Sequence, residues 1–388
     1  MHTTKWNTFY ETVKADSWPN CDREEDFYLL PADIQLECIQ KFGYVPGIYS
    51  LKQQLIDNPA FCILPFIHLY INEHNRLAPC CLGTDFKEHT ENFNFLTDSH
   101  YEQVRENMRN GIKIPECNAC YKLDANGVDS GRIANTIEWA AKLNTTDITN
   151  IETKLRYYDV RNDNLCNLSC RTCRPCSSTQ LEKEYKEIGW YFKPNINRSR
   201  LSEIVNYDTV DRVYVAGGEP TLMPEFQKFL KTAIDCNRTD VELTIITNIT
   251  NLNKNILNLL ENFTNITFTL SLDGYADVNR YIRWPSDWAT IENNIHKLKL
   301  LTSKIFVNVT VSLYNITKLY ELITFLESTL PEPQTILLNQ ASGNSYYPFN
   351  FPNKDLAIER LTLLKTTKSY NKEIVFKEKV DYFIEMIK

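Results

Sequence analysis

The rhythm of hydrophobic and polar positions along this chain changes near Lys154. Before that point the pattern is mixed. Possible helices lie at residues 33–42 and 51–56, a strand-like run covers 67–71, and a turn follows at 73–76. A helical stretch over 101–110 stops at Gly111, and 133–143 reads as a connecting helix. From Lys154 onward short apolar runs alternate with helical stretches. The predicted strands are 156–160, 212–216, 243–247, 267–272, 306–312 and 335–339. Helices are predicted between and after them at 177–188, 224–234, 253–260, 288–301 and 317–328.

Alternating strands and helices argue for a parallel sheet with right-handed crossovers. Six such units predict an α/β fold, a partial (β/α)6 TIM-like barrel rather than a closed eight-stranded one. In such folds the chemistry sits at the C-terminal ends of the strands. The Asn-rich stretch 248–265 is a compositional bias inside this pattern, and no internal repeat is visible.

With 388 residues the chain suits one large domain with attachments, or two domains. Its apolar fraction of 43% is enough for a sizeable core, and a net charge of −7 gives no global attraction to nucleic acid or anionic lipid. The first twenty residues are polar and lack an apolar core, so no secretory signal is expected. No apolar run reaches the length of a bilayer span. The expectation is therefore a cytoplasmic protein with no membrane partner. Twelve cysteines then need a reason, and nine of them fall between Cys62 and Cys176. Clustered cysteines in a reducing compartment bind metal more often than they form disulfides. Isolated Cys21, Cys38 and Cys236 read as buried thiols.

Just after the first strand comes Asp163-Asn164-Leu165-Cys166-Asn167-Leu168-Ser169-Cys170-Arg171-Thr172-Cys173, a C-x3-C-x2-C spacing. Thiolates are soft ligands suited to iron–sulfur clusters. Three of them can cap three corners of a cubane and leave the fourth iron open to a substrate. A zinc knuckle is the competing structural reading, although zinc sites usually pair C-x2-C units. Cys176 reads as a bystander, because a fourth ligand would close the open corner. The second strand runs into Gly217-Gly218-Glu219-Pro220. Two glycines let a backbone approach a ligand closely, and Glu219 can accept from a cationic amino group. An ordinary strand-to-helix turn is the alternative.

This triad after the first strand of a partial barrel resembles the signature of the radical S-adenosylmethionine (SAM) superfamily. The resemblance covers about residues 60 to 340. It implies a catalytic [4Fe-4S] cluster on Cys166, Cys170 and Cys173, with SAM chelated at the open iron through its amino and carboxylate groups. One electron would cleave SAM to methionine and a 5′-deoxyadenosyl radical that abstracts hydrogen from substrate. By the same resemblance Gly217, Gly218 and Glu219 bind the SAM amino group. Ser271, in Ser271-Leu272-Asp273-Gly274 after the fourth strand, contacts SAM. Asn315 reaches SAM ribose or adenine, or is a turn asparagine. Asp273 faces substrate or caps its loop. Arg280 and Arg283 could hold an anion, but the commoner outcome is solvated surface arginine. One departure is Thr172, where the superfamily often has an aromatic residue that seats the adenine.

The N-terminal cysteines follow the ligand order of a twitch domain, the shortened form of the SPASM auxiliary-cluster domain. Cys62, Cys80, Cys117 and Cys120 form the set, and Cys81 could replace Cys80. The module usually follows the barrel, whereas here it precedes it. Asn75 stands where such modules carry a glycine, and asparagine also tolerates a left-handed turn. A second iron–sulfur cluster is implied, with structural zinc as the alternative. The predicted organisation is an unassigned extension at 1–60, the cysteine-rich twitch/SPASM-like module at 61–132, a connecting helix at 133–153, the radical SAM barrel at 154–342 and a C-terminal extension at 343–388. Tyr346, Tyr347, Phe349 and Phe351 in that last segment would pack on the barrel or line a substrate mouth.

The function expected is oxidative modification of a peptide, sugar or nucleotide, fed by an electron donor such as flavodoxin or ferredoxin. The alternative is a non-catalytic iron–sulfur or zinc protein that binds a peptide or nucleic acid. An intact triad together with Gly-Gly-Glu favours the enzyme.

Overall fold

The computed structural model describes residues 48–388, apart from 73, 75, 84–86, 89–93, 127–129, 146, 162, 191–200, 331–334, 342, 344 and 345. The helix expected at 33–42, Cys21, Cys38 and Asn75 lie outside the described residues. The chain divides into two compact units. One holds the residues up to Tyr70 together with Leu77–Arg156, and the other holds Ile71–Arg76 and Tyr157–Lys388.

The first unit is mainly helical. Its longer helices are α1 (Ile48–Asp57), α2 (Ser99–Arg109), α3 (Asn118–Ala125) and α4 (Gly131–Lys142). Asp98 starts α2 by accepting from the backbone N–H groups of His100 and Tyr101, and Ser130 starts α4 by accepting from that of Arg132. Such caps satisfy amides that a helix start leaves without partners. Phe61, Phe66, Tyr101 and Trp139 are wholly buried and form the centre of this unit, with Phe61 and Phe66 stacked at 5.4 Å.

The second unit contains six parallel strands: β1 (Tyr157–Val160), β3 (Arg212–Val215), β4 (Glu242–Thr247), β5 (Ile266–Ser271), β7 (Ile305–Val311) and β8 (Thr335–Gln340). They lie side by side in chain order. Each neighbouring pair is parallel. Six parallel strands with helical crossovers are the α/β arrangement expected, with strand ends within one residue of those read from the sequence. Burial alternates strictly along β4 and β7. Ile305, Val307, Val309 and Val311 face the core from β7, as period-two geometry requires.

The helices between the strands are α5 (Thr179–Glu187), α6 (Pro224–Asp235), α7 (Lys254–Leu260), α8 (Asp277–Ile282), α9 (Trp288–Leu301) and α10 (Leu319–Thr329). Beyond the sheet, α11 (Lys354–Leu363) and α12 (Ile374–Ile387) bury Leu361, Phe376, Val380 and Phe383 in the same unit. Phe349, half-buried, lies against the rings of Tyr382 and Phe383, so this part of the tail packs onto α12. One element had no sequence signal. A two-stranded antiparallel ribbon joins β2 (Ser169–Cys170) to β6 (Arg283–Trp284), with Cys170 opposite Arg283. It stands inside the cysteine loop.

Candidate active site

The loop after β1 has little regular structure and is held by backbone and side-chain hydrogen bonds to its neighbours. The carbonyl of Asp163 accepts from Gly218 N–H at 2.9 Å, and that of Leu165 accepts from Glu219 N–H at 2.7 Å. A Cβ on Gly217 would stand 2.7 Å from Asp163 O, and one on Gly218 would stand 2.6 Å from Asn164 C. The two glycines are thus needed for close packing on the cysteine loop. Gly217 also has a φ of +108°, a backbone region that side chains disfavour.

Helix α5 ties down the other side. Thr179 Oγ1 donates to Cys166 O at 3.0 Å and accepts from Cys166 N–H at 3.2 Å. Ser178 Oγ caps α5 and donates to Leu168 O at 2.6 Å. Ser169 Oγ donates to Glu184 at 2.5 Å, and Asn164 Nδ2 donates to Glu182 at 3.2 Å. A third tie comes from the segment before β6. Arg171 donates through its backbone N–H to Ile282 O and through Nε to Tyr281 O, both at 2.8 Å.

The three thiols share this loop. Cys173 N–H donates to Cys170 O at 3.0 Å. Burial pushes the thiols of Cys166 and Cys170 up to about 11 and about 12, and raises that of Cys173. Among weaker influences, Cys173 acts on both of the others, and the Arg283 cation lowers all three. Asn248 Nδ2 lies 3.8 Å from Cys166 Sγ. A soft thiol set with a nearby amide donor and a cation fits a thiolate-held iron–sulfur cluster. Cys176 is buried beside Cys173, its Sγ 3.8 Å from Ser177 Oγ.

Glu219 is wholly buried. Its Oε1 accepts from the hydroxyls of Thr221 and Thr247, each at 2.7 Å, and its Oε2 accepts from Asn248 N–H at 2.7 Å. Burial raises its pKa, against the opposing pull of these donors. Ser271 closes β5 opposite Asn308 and is half-buried. Asn315 is buried and its amide is spent within the protein. Its Nδ2 donates to Asp273 O and Thr310 O, while its Oδ1 accepts from Ser312 N–H.

Asp273 is buried too, and its Oδ1 accepts from Thr310 N–H at 2.8 Å. Arg283 corrects the surface reading. Its side chain is only 14% exposed and its Nε lies 2.8 Å from Asp273 Oδ2. The two atoms form a charge contact whose alignment falls short of a hydrogen bond. Arg280 is exposed, over the Trp284 ring at 5.1 Å. Nothing in the sequence signalled this placement of Arg283, because the β2–β6 ribbon brings it opposite Cys170 across more than a hundred residues of chain.

The first unit carries its own thiol group. Cys62 and Cys120 are buried, and burial drives the Cys62 thiol well up, with Cys117, Cys80 and Cys120 adding to the rise. Burial also pushes Cys80 up to about 11 and Cys117 up to about 12. Cys81 is exposed and adds to the rise at Cys80. The backbone around Cys62 is held by Tyr121 donating to Ala60 O, Arg132 donating to Phe61 O and Thr136 accepting from Ile63 N–H. His68 Nδ1 is 2.7 Å from Pro79 O, which fixes the approach to Cys80. Among the described residues no three His, Cys, Asp or Glu side chains close on a single-ion site. Cluster ligands sit on separate irons, so closure on one point is not required of them.

Residues 164–326 match the sequence profile of the Radical SAM superfamily. No curated protein matches the chain. Among solved structures it is similar to Streptococcus suis SuiB bound to S-adenosylmethionine, with 17% identity and a TM-score of 0.39 over 69% of this chain and 60% of that one. It is also similar to native anSMEcpe with bound AdoMet and Cp18Cys peptide, with 15% identity and a TM-score of 0.38 over 60% of this chain and 62% of that one. The chain thus spans about three fifths of the length of these structures. The matched segment holds the three-cysteine loop, the Gly-Gly-Glu turn and the β2–β6 ribbon, and over these residues the chain is similar to the Radical SAM superfamily.

Proposed function

We propose that this protein is a radical SAM enzyme whose cluster is held by Cys166, Cys170 and Cys173. The observation that carries the reading is the triad itself. Three thiols share one loop, pinned from three sides, directly against Gly217-Gly218-Glu219. Bound there, a [4Fe-4S] cluster and SAM supply a 5′-deoxyadenosyl radical that abstracts hydrogen from the substrate.

The chain's own residues do the placing. Thr179 and Ser178 hold the loop so that the cysteines keep their spacing. Thr221 and Thr247 saturate one oxygen of Glu219 and fix the carboxylate plane. Among the described residues the other oxygen accepts from Asn248 N–H alone, and it keeps capacity for the amino group of SAM. Ser271 is a further contact at the strand end. Asn315 serves SAM indirectly, by holding the carbonyl of Asp273 and the turn that follows β7. Thr172, in place of an aromatic residue, leaves adenine seating to backbone.

Cys62, Cys80, Cys117 and Cys120 are assigned to a second iron–sulfur cluster, in a twitch-like module that precedes the barrel. The mutual influence of these four thiols supports the set, and supports Cys80 over Cys81. A cluster there can take the electron left on a substrate radical, which favours oxidation of a peptide, sugar or nucleotide. Flavodoxin or ferredoxin is the donor class expected. No helix among the described residues is long and apolar enough to cross a membrane.

The test is anaerobic purification followed by iron and zinc analysis, then dithionite, SAM and detection of 5′-deoxyadenosine. About eight irons per chain are expected for two cubane clusters. About four irons with one zinc would assign the first unit to structural zinc. A chain that holds iron yet forms no 5′-deoxyadenosine would overturn the enzymatic reading. Cys166→Ala, Cys170→Ala and Cys173→Ala are each expected to abolish SAM cleavage.

A further inference from the structure

The Arg283–Asp273 pair is a costly thing to build. Two charges leave water, and their attraction returns that cost only when the geometry is good. Here Asp273 is fully buried and Arg283 is largely so, 14% exposed, with its Nε 2.8 Å from Asp273 Oδ2. The pair is also placed with care. Arg283 lies directly opposite Cys170 in the β2–β6 ribbon, and the next residue on each side of that register is paired as well. Asp273 in turn is fixed by Thr310 N–H on its side chain and by Asn279 Oδ1 on its backbone N–H. A buried ion pair held by backbone pairing to the cysteine loop is placed to present its charge there.

Cross-strand partners in an antiparallel ribbon project their side chains to the same face, so Arg283 stands beside Cys170 while Asp273 Oδ2 holds its Nε at 2.8 Å. In a buried site of low dielectric such a charge acts strongly and is weakly screened by salt.

We propose that Arg283 is a positioning residue for the cluster on Cys166, Cys170 and Cys173, and that its charge, aimed by Asp273 and the β2–β6 ribbon, raises the midpoint potential of that site. An added electron makes the site more negative, so a fixed cation beside it favours the reduced form. This inference rests on the cluster assignment proposed above.

The test is a spectroscopic redox titration of the anaerobically loaded protein, in the absence of SAM. Cysteines of the first unit are replaced by serine so that one cluster is read. Arg283→Gln is expected to lower the reduced-to-oxidised ratio at fixed potential about tenfold, which is ~59 mV for a one-electron couple. Asp273→Asn keeps the side-chain shape and leaves the cation uncompensated, so the ratio is expected to rise. Arg283→Lys is expected to fall between wild type and Arg283→Gln. Opposite shifts in Arg283→Gln and Asp273→Asn support the proposal. Where Arg283→Gln does not hold iron, Asp273→Asn decides alone, and an upward shift supports it. Unshifted potentials, shifts of the same sign, or cluster loss from both folded variants would overturn it in favour of a purely structural pair. A wild-type protein with no iron–sulfur signal would instead defeat the cluster assignment itself.

Discussion

At the scale of single residues the site is governed by what cannot fit and by what must be paired. Gly218 is the sharper case of the first kind, since a methyl there would collide with the backbone of both Asn164 and Leu165. Neither partner is a flexible side chain, so the loop itself must move. Gly218→Ala is expected to lower stability by about 1–3 kcal/mol, the usual range for overpacking. It is also expected to cut iron retention more than it cuts helix content. Urea unfolding and iron analysis on the same preparation check both. Glu219 is the case of the second kind. A buried carboxylate is tolerated there because Thr221, Thr247 and Asn248 supply its donors.

At the scale of elements the cysteine loop depends on α5. That helix begins at a capped residue, and the same hydroxyl that caps it reaches back to Leu168 O. Ser178→Ala removes both contacts. Loss of the cap costs about 1 kcal/mol in comparable helices, and the stranded carbonyl adds to it. The expected outcome is a fall in the urea midpoint together with faster loss of iron to a chelator. Lys183→Ala, on the exposed face of α5, removes only a surface ion pair with Glu187 and is expected to leave both measurements nearly unchanged. The β2–β6 ribbon is the second support, and α8 leads directly into it.

At the scale of the molecule the raised thiols of both units set a pH dependence. Cys80 and Cys166 are pushed up to about 11, and Cys117 and Cys170 up to about 12, from an ordinary value of 9.0. Below pH 9 both the folded and the unfolded metal-free chain keep these protons. As pH rises toward 11 the unfolded chain ionises first, so it binds fewer protons than the folded one and stability falls. The metal-free chain, kept reduced, is therefore expected to unfold at lower urea at about pH 10 than at about pH 8. Replacing Cys166 and Cys170 by serine should flatten that slope. Metal-bound thiolates have already lost their protons, so the loaded protein should show a weaker dependence over the same range.

The sequence by itself determined the elements and the chemistry written in contiguous residues. Six strands were legible because a parallel sheet buries short β-rich runs between helices. The proposed triad and Gly-Gly-Glu are legible because residues within one loop or turn keep a fixed local spacing. Only the tertiary structure decided which distant side chains meet the cysteine loop. Arg171 meets Tyr281 across 110 positions of chain, and the pairing of Cys170 with Arg283 is of the same kind. A two-residue strand has no periodicity to read, and a buried arginine looks like an exposed one until its partner is known. The same reason separates Cys80 from Cys81. Adjacent thiols are equal in sequence, and burial beside Cys62 and Cys117 distinguishes them.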